Sequence, residues 1–466
     1  MHHARGMNGD RPSRRAILKG MAAGITLAAC SSPDGHAVMP DAAMPAPDAP
    51  PPLEAPDGLT EAPHFPLGVS AGDLAEARGV LWTQYSGDAP LAAYVWRMNG
   101  DSYLDEHGPF AATPADGGFV HVALDGLMAG ARYRYAFVEL AGETRVARSP
   151  IGRFRAPIAD TASEVLTFGA VACTDRDKPI GVLARAAERD DLDAFLFCGD
   201  SAYCDGAETL AEYRAEYVAH FGRPEHVALR AATGMYITWD DHEIKNDLNP
   251  ETIDEAQLAA AFQAFFEHAP IVEATPRRIW RSARWGKTAE IFVLDCRSER
   301  KPSTILSDSP QYVSAAQLTW LEVGLAASPA RFKIIINSVP ITNMPNVWDA
   351  YPTDRWEAYG AQRTELLRYI DDAQIGGVLW LSGDFHLAFI SKVSTSGPGS
   401  TQREVLCGPG GQNSNVLVST LVAPQFSFAT GTNNYTTLKL DPTYGSVTVG
   451  YHDTDGVQFY SESFVV

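Results

Sequence analysis

Ala194-Phe195-Leu196-Phe197-Cys198-Gly199-Asp200-Ser201-Ala202-Tyr203 opens with an apolar run of strand length and stops abruptly at a glycine and a carboxylate. The same pattern recurs on both sides of it. Apolar runs at 165–171, 235–239, 290–294 and 377–381 lead into Cys173-Thr174-Asp175, Asp240-Asp241-His242-Glu243, Asp295-Cys296-Arg297 and Gly383-Asp384-Phe385-His386. A further apolar run lies at 333–338. Taken singly, a Gly-Asp pair after a strand is a turn, and a lone histidine is a satisfied hydrogen-bonding partner. Such clusters in series point to one polar site, because open α/β sheets bind ligands beyond the carboxyl ends of their strands. Helical stretches at 254–268, 314–327 and 361–370 interleave with the runs, so residues 158–466 read as an α/β layered domain. Alternating runs at 436–440 and 446–449 predict an antiparallel closure.

Upstream the texture differs. Short β-rich runs at 79–85, 92–97 and 133–138, separated by Gly, Asp and Pro turns, predict a small all-β sandwich of immunoglobulin or fibronectin type over residues 64–157. Residues 31–63 are dominated by Pro, Ala and Asp, a composition that favours extended chain over a packed core, and read as a tether. Residues 1–30 read as an address. Ser13-Arg14-Arg15-Ala16-Ile17-Leu18-Lys19 precedes a short apolar stretch, the layout of a twin-arginine export signal. That stretch ends in Leu27-Ala28-Ala29-Cys30, which looks like a bacterial lipobox with Cys30 as the lipidated residue; an ordinary small-residue cleavage site is the alternative. The expectation is a periplasmic or cell-surface lipoprotein that touches the membrane only through its lipid.

The composition, 45% hydrophobic and 20% charged, is ordinary for globular domains, and a net charge of −20 without a Lys/Arg cluster argues against a nucleic-acid partner. The six cysteines are irregularly spaced and do not form a disulfide framework, although Cys198 and Cys204 are close enough in sequence to leave one bridge open.

The ligand chemistry at the strand ends is specific. Asp200 can bridge two cations, and Tyr203 reaches the same ion if the intervening loop turns. Thiolate, phenolate, carboxylate and imidazole together suit ferric iron, which makes Cys173, Asp200, Tyr203 and His386 its candidate ligands. A second ion held by Asp200, Asn246 and Asp384 meets only oxygens, the preference of calcium or magnesium.

Gly199-Asp200-Ser201-Ala202-Tyr203 resembles the G-D-x-x-Y signature of iron-containing purple acid phosphatases. Other blocks resemble PhoD-like alkaline phosphatases: Ala172-Cys173, Trp239-Asp240-Asp241-His242-Glu243 with Asn246, Asp295-Cys296-Arg297, Gly383-Asp384-Phe385-His386, and Asp354-Arg355-Trp356-Glu357-Ala358-Tyr359-Gly360 with Arg363. The sandwich start, Pro66-Leu67-Gly68-Val69-Ser70-Ala71-Gly72-Asp73 with Val80-Leu81-Trp82-Thr83, is similar too. The resemblance implies a four-layer metallophosphoesterase sandwich, two mixed sheets flanked by helices, that carries Fe3+ with one or two Ca2+ and hydrolyses phosphate esters as an alkaline phosphatase or phosphodiesterase. Carried over position by position, Cys173, Asp200, Tyr203, Asn246, Asp384 and His386 are the expected metal ligands. The sequence departs from the family pattern at Cys204-Asp205 and at Asp247.

Two bound cations would acidify a water and clamp the phosphate. His242 is the candidate to protonate the leaving group, or else to fix Asp384 from behind. Arg297 is the candidate to fork onto phosphate oxygens, with an ion pair to Asp295 or a surface carboxylate as the alternative. Asp241 is expected to bind metal or orient His242, and Asp240 to cap a turn. The protein is expected to be a monomer. Rival readings are a phospholipase D-like or wall-polymer phosphodiesterase and, from a different class, a non-catalytic surface binding module, for which metal content is the discriminator.

Overall fold

Leu166–Val171, Ala194–Cys198 and Gly234–Thr238 are short, wholly or almost wholly buried strands that pair in parallel, as continuous apolar runs between helices should. They form the middle of a nine-stranded sheet. Tyr435–Asp441, Ser446–His452 and Gln458–Val465 extend it on one side as the expected antiparallel closure. A second, seven-stranded sheet is built on Ala289–Val293, Phe332–Ile336, Val378–Ser382 and Arg403–Leu406, again in parallel. The computed structural model describes residues 55–348 and 353–466. Arg14, Arg15, Cys30 and all of the expected tether up to residue 54 lie outside the described residues.

Side-chain alternation along these strands sorts the core into layers. Phe168, Ala170, Leu196 and Tyr236 face Ile291, Ile334, Ile336 and Leu379 across the gap between the two sheets. The opposite face of the first sheet, through Phe195, Phe197 and Ile237, packs on helices Leu210–Phe221, Pro224–Ala232 and Glu255–His268. The opposite face of the second sheet, through Phe292, Ile335 and Trp380, packs on Ala315–Ala327 and Gly360–Asp372. The order is helices, sheet, sheet, helices. Each buried Leu, Ile or Phe contributes about 1.5–3 kcal/mol, so the layers are held mainly by this burial.

Residues 64–157, expected as a small all-β sandwich, form a five-stranded sheet of Ser102–Ala112, Leu91–Asn99, Arg132–Ala141, Thr144–Arg148 and Gly152–Arg155. They also lend three strands to the large sheet: Val69–Ala75 pairs in parallel with Gly234–Thr238, and Arg78–Gln84 and Phe119–Leu124 follow it outward. No described helix is long and apolar enough to cross a membrane.

His268, fully buried at the end of its helix, uses Nδ1 on the Ala264 carbonyl at 2.7 Å and stacks on Tyr217 at 4.6 Å. Burial pulls its pKa from 6.5 down to about 3. The folded-state pKa is therefore below the unfolded one, so the contribution to stability is complete above pH 6.5 and is lost as pH falls toward 3. His268→Phe keeps the stack and removes the proton site. Urea unfolding of the variant should fall less steeply on acidification by about 1.4 kcal/mol per pH unit, one proton's worth. Parallel slopes for the two proteins would show that His268 is charged in the folded state.

Candidate metal centre

The carboxyl ends of both sheets open on the same side, and the residues that leave them do so through unusual backbone. Cys173, Asp200, Asp384 and His386 have φ of 57°, 53°, 71° and 54°, the left-handed region. A side chain other than glycine pays about 1–3 kcal/mol to be there, and such strain concentrates where a site over-determines the backbone. Two glycines let the sheets meet at this edge. A Cβ on Gly383 would lie 2.4 Å from Ala172 Cβ, and one on Gly199 would lie 3.2 Å from Ser338 Cβ of the second sheet and 2.6 Å from Asp240 Cβ of its own.

The result is a buried cluster in which donor atoms crowd together. Cys173, Asp200 and His386 each offer one ligand atom within 4.8 Å of the others; so do Asp200, Asp241 and His242, and so do Asp240, Asp241 and Asp384. Asp200 belongs to the first two groups, the place of a bridging carboxylate. The turn after Asp200 brings the Tyr203 hydroxyl to 3.5 Å from Asp200 Oδ2. Two carboxylates hold the frame. Glu243 is buried and accepts from Asp200 N at 3.1 Å, Ser201 N at 2.5 Å, Ser201 Oγ at 2.7 Å and Asp240 N at 2.8 Å, which pins the strained loop. Asp240 accepts from Ser338 Oγ at 2.7 Å and is gripped at both oxygens by Arg297, at 2.5 and 2.7 Å.

The electrostatics are those of a site built for cations. Burial, reinforced by neighbouring acids, pushes the Asp200 and Asp384 carboxyls, the Cys173 thiol and the Tyr203 phenol well above their ordinary values. Burial and the nearby His242 pull His386 down to about 4, which leaves a neutral imidazole suited to ligation. Asp200 Oδ1 is buried with no hydrogen-bond partner among the described residues. A buried carboxylate oxygen in that condition is costly, and a cation between Asp200, Cys173 and His386 removes the cost. The donor set present therefore fits a metal.

Residues 168–442 match the family described as PhoD-like phosphatase, and residues 53–157 match its N-terminal domain. The chain belongs to the PhoD-like phosphatase family. Alkaline phosphatase D of Bacillus subtilis (strain 168) is 25% identical over an alignment of 386 residues that covers 71% of this chain and 65% of that protein. The chain thus spans just under two thirds of that relative's length. Among solved structures, one of PhoD superposes with a TM-score of 0.73 at 22% identity, covering 86% of this chain and 89% of the other. A purple acid phosphatase from yellow lupin (Lupinus luteus) seeds superposes with a TM-score of 0.60 at 14% identity, covering 85% and 73%. These two likenesses carry the four-layer fold.

Measured against the PhoD-like pattern read from the sequence, Cys173, Asp200, Tyr203, Asp384, His386, Asp241 and His242 are brought to one place. Two residues are placed differently. Arg297 has no exposed surface: its fork closes on Asp240 rather than on Asp295 or a surface carboxylate, and its Nη2 lies 3.3 Å from Asp384 and 3.6 Å from Asp241. A guanidinium walled in by carboxylates braces them, and its Nη1 lies on the Asp354 side. Asn246 is exposed, and its side-chain amide donates to Asp247 at 3.0 Å instead of turning to Asp384. His242 leans on Asp205, not Asp384, with Nδ1 2.8 Å from Asp205 Oδ1, which also accepts from Asn246 N at 2.8 Å. Glu243 and Asp205 are the functional residues that the sequence reading passed over. Glu243 was visible in its motif but not as a hub, and Asp205 stood at a departure from the family pattern. The five described cysteines are all free, Cys198 and Cys204 included. Asp354, whose Oδ2 lies 3.6 Å from Arg297 Nη1, leads from the centre to an open cavity of about 890 Å³ bordered by Asp247, Arg300 and Ile305.

Proposed function

We propose that this chain is a metal-dependent hydrolase of phosphate esters, an alkaline phosphatase or phosphodiesterase that releases phosphate outside the cytoplasm. The observation that carries this reading is Asp200, a buried carboxylate that belongs to two donor groups and has one oxygen unpartnered among the described residues, flanked by thiol and imidazole on one side and by carboxylate and imidazole on the other. Cations bound there supply an acidified water as nucleophile and positive charge over the phosphate oxygens.

Within that frame each residue has a task. Cys173, Asp200, Tyr203 and His386 would hold ferric iron, since a buried thiol and phenol ionise only against a strong Lewis acid. Asp200, Asp384 and Asn246 would hold calcium, one or two ions in all, with Asn246 reaching the ion only after it lets go of Asp247. Asp241, whose Oδ2 accepts from Asp247 N at 2.6 Å, anchors the turn that carries His242. His242, its Nδ1 proton fixed by Asp205, presents Nε2 to donate a proton to the departing oxygen. Glu243 and Arg297 keep the carboxylates in place. A purely adhesive surface module would have no use for this buried acidic constellation.

The iron is tested by absorption and elemental analysis of protein purified without chelator. The expected result is a visible charge-transfer band that weakens or shifts in Tyr203→Phe, together with a loss of activity of about 10²-fold. A colourless, fully active protein with two zinc ions rejects the assignment. Export by the twin-arginine route and a lipid anchor on Cys30 complete the proposal. Cys30→Ala should move the protein to the soluble fraction with ester hydrolysis unchanged, and membrane retention of that variant would dispose of the anchor.

A further inference from the structure

Arg132–Ala141 and Gly152–Arg155 run antiparallel with Arg132 directly opposite Arg155 and Arg134 directly opposite Arg153. Alternation sends Tyr133 and Phe154 to the other face, where their rings stack at 5.2 Å in the core. Four guanidinium groups are left on one face in two cross-strand pairs. Like charges opposite each other on a ladder destabilise it, so the pattern calls for a compensating anion.

The protein supplies only part of that compensation. Arg155 is paired with Asp193 and Glu164, each at 2.7 Å, and Arg153 with Asp190. Arg132 is 53% exposed, and its nearest carboxylate, Asp193, is 3.9 Å away and already bonded to Arg155. Among the described residues Arg134 donates to the Tyr103 hydroxyl at 3.2 Å, which itself donates to Asp57 at 2.6 Å. These four arginines and Arg189, itself paired with Asp191, line a cavity of about 300 Å³ that carries two acids, Asp101 and Asp190, in its wall. Thr233 closes the cavity from below. It is 4% exposed, and its buried Oγ1 has no hydrogen-bond partner among the described residues. Arg153, Arg155 and Arg189 each have a carboxylate of their own, whereas Arg132 and Arg134 have none within hydrogen-bond distance among the described residues, so these two guanidinium groups are the ones left for an external anion.

We propose that this cavity is a phosphate-binding site separate from the metal centre. A tetrahedral oxyanion offers the paired oxygens that Arg132 and Arg134 can fork onto and an acceptor for the Thr233 hydroxyl. Leu192 and Thr233 place the cavity at the amino ends of Ala194–Cys198 and Gly234–Thr238, whereas the metal centre is at their carboxyl ends. Five strand residues separate the two, roughly 17 Å. The site neither touches the reacting phosphate nor depends on the hydrolase reading.

The test uses the full metal-loaded protein and the double variant Arg132→Gln/Arg134→Gln, with inorganic phosphate and phosphatidylglycerol vesicles as probes. Calorimetry should find one phosphate site more in the wild type than in the double variant, with hydrolysis of a small soluble ester unchanged between them. Without phosphate the variant should melt at the same temperature or higher, because the opposed charges are gone. Thr233→Val should weaken the extra site several-fold without removing it. Loss of phosphate binding alone identifies free phosphate as the ligand, and loss of vesicle binding alone identifies a lipid headgroup. Equal binding of both probes by wild type and double variant overturns the proposal.

Discussion

Asp200→Asn should lower kcat/KM for a soluble phosphate ester by at least about 10³-fold, some 4 kcal/mol of transition-state stabilisation, and should leave the centre short of metal. Asn keeps the volume, and it tolerates the left-handed backbone at φ 53°, so added strain does not explain the loss. What disappears is the anionic bridge between the Cys173–His386 side and the Asp241–His242 side. The metal-free protein should respond in the opposite sense. There the Asp200 carboxyl is raised by burial and by Asp240, Asp241 and Glu243, so its charge is a burden that the neutral amide relieves. Metal-free Asp200→Asn should therefore unfold at higher urea than metal-free wild type, by about 1–3 kcal/mol. An Asn variant that keeps full activity and metal would move the centre elsewhere.

The opposite signs expose how the sequence could be read and where it could not. Apolar runs ending in polar clusters located the parallel strands to within a residue or two: 165–171 against Leu166–Val171, 235–239 against Gly234–Thr238, 290–294 against Ala289–Val293. Burial on both faces leaves such strands little compositional freedom. The parallel pairing of Val69–Ala75 with Gly234–Thr238 had no local signal, because the partners are joined only through the tertiary fold. The complete burial of Arg297 and its pairing with Asp240 had no signal in the sequence, for an energetic reason. An arginine is ordinarily presumed to be near solvent or ligand, and only the count of converging acids, Asp240, Asp241, Asp384 and Asp354, makes a fully buried one affordable. Asn246 was placed by its oxygen and by the family pattern; the local turn, with Asp205 taking its N–H and Asp247 its amide, holds it outward. Glu243 escaped because its role lies in four hydrogen bonds to backbone and hydroxyl, which no spacing announces.

His242→Asn should separate proton donation from metal binding. If His242 donates a proton from Nε2, hydrolysis of an alkyl phosphate, whose alkoxide is a poor leaving group, should fall by about 10²–10⁴-fold. Hydrolysis of a nitrophenyl phosphate, whose leaving group departs without help, should fall by only a few-fold. On the proposed assignment of iron and calcium, the calcium concentration needed for activity should not change, and a calcium chelator should abolish activity while leaving the visible band, since iron held by thiolate and phenolate would exchange more slowly than a hard ion in an oxygen shell. The competing assignment is specific, because His242 sits in one group with Asp200 and Asp241 and would give the second ion a nitrogen ligand. Nitrogen shifts the preference from calcium toward zinc or manganese. In that case both esters should slow equally in His242→Asn, and zinc or manganese, not calcium, should reactivate the chelated enzyme. The Asp205 carboxylate, 2.8 Å from Nδ1, serves either arrangement by fixing the ring, so Asp205→Asn alone does not distinguish them. The leaving-group comparison does, because a ligand's loss weakens every substrate's transition state alike, whereas a proton donor's loss is felt only where a proton is needed.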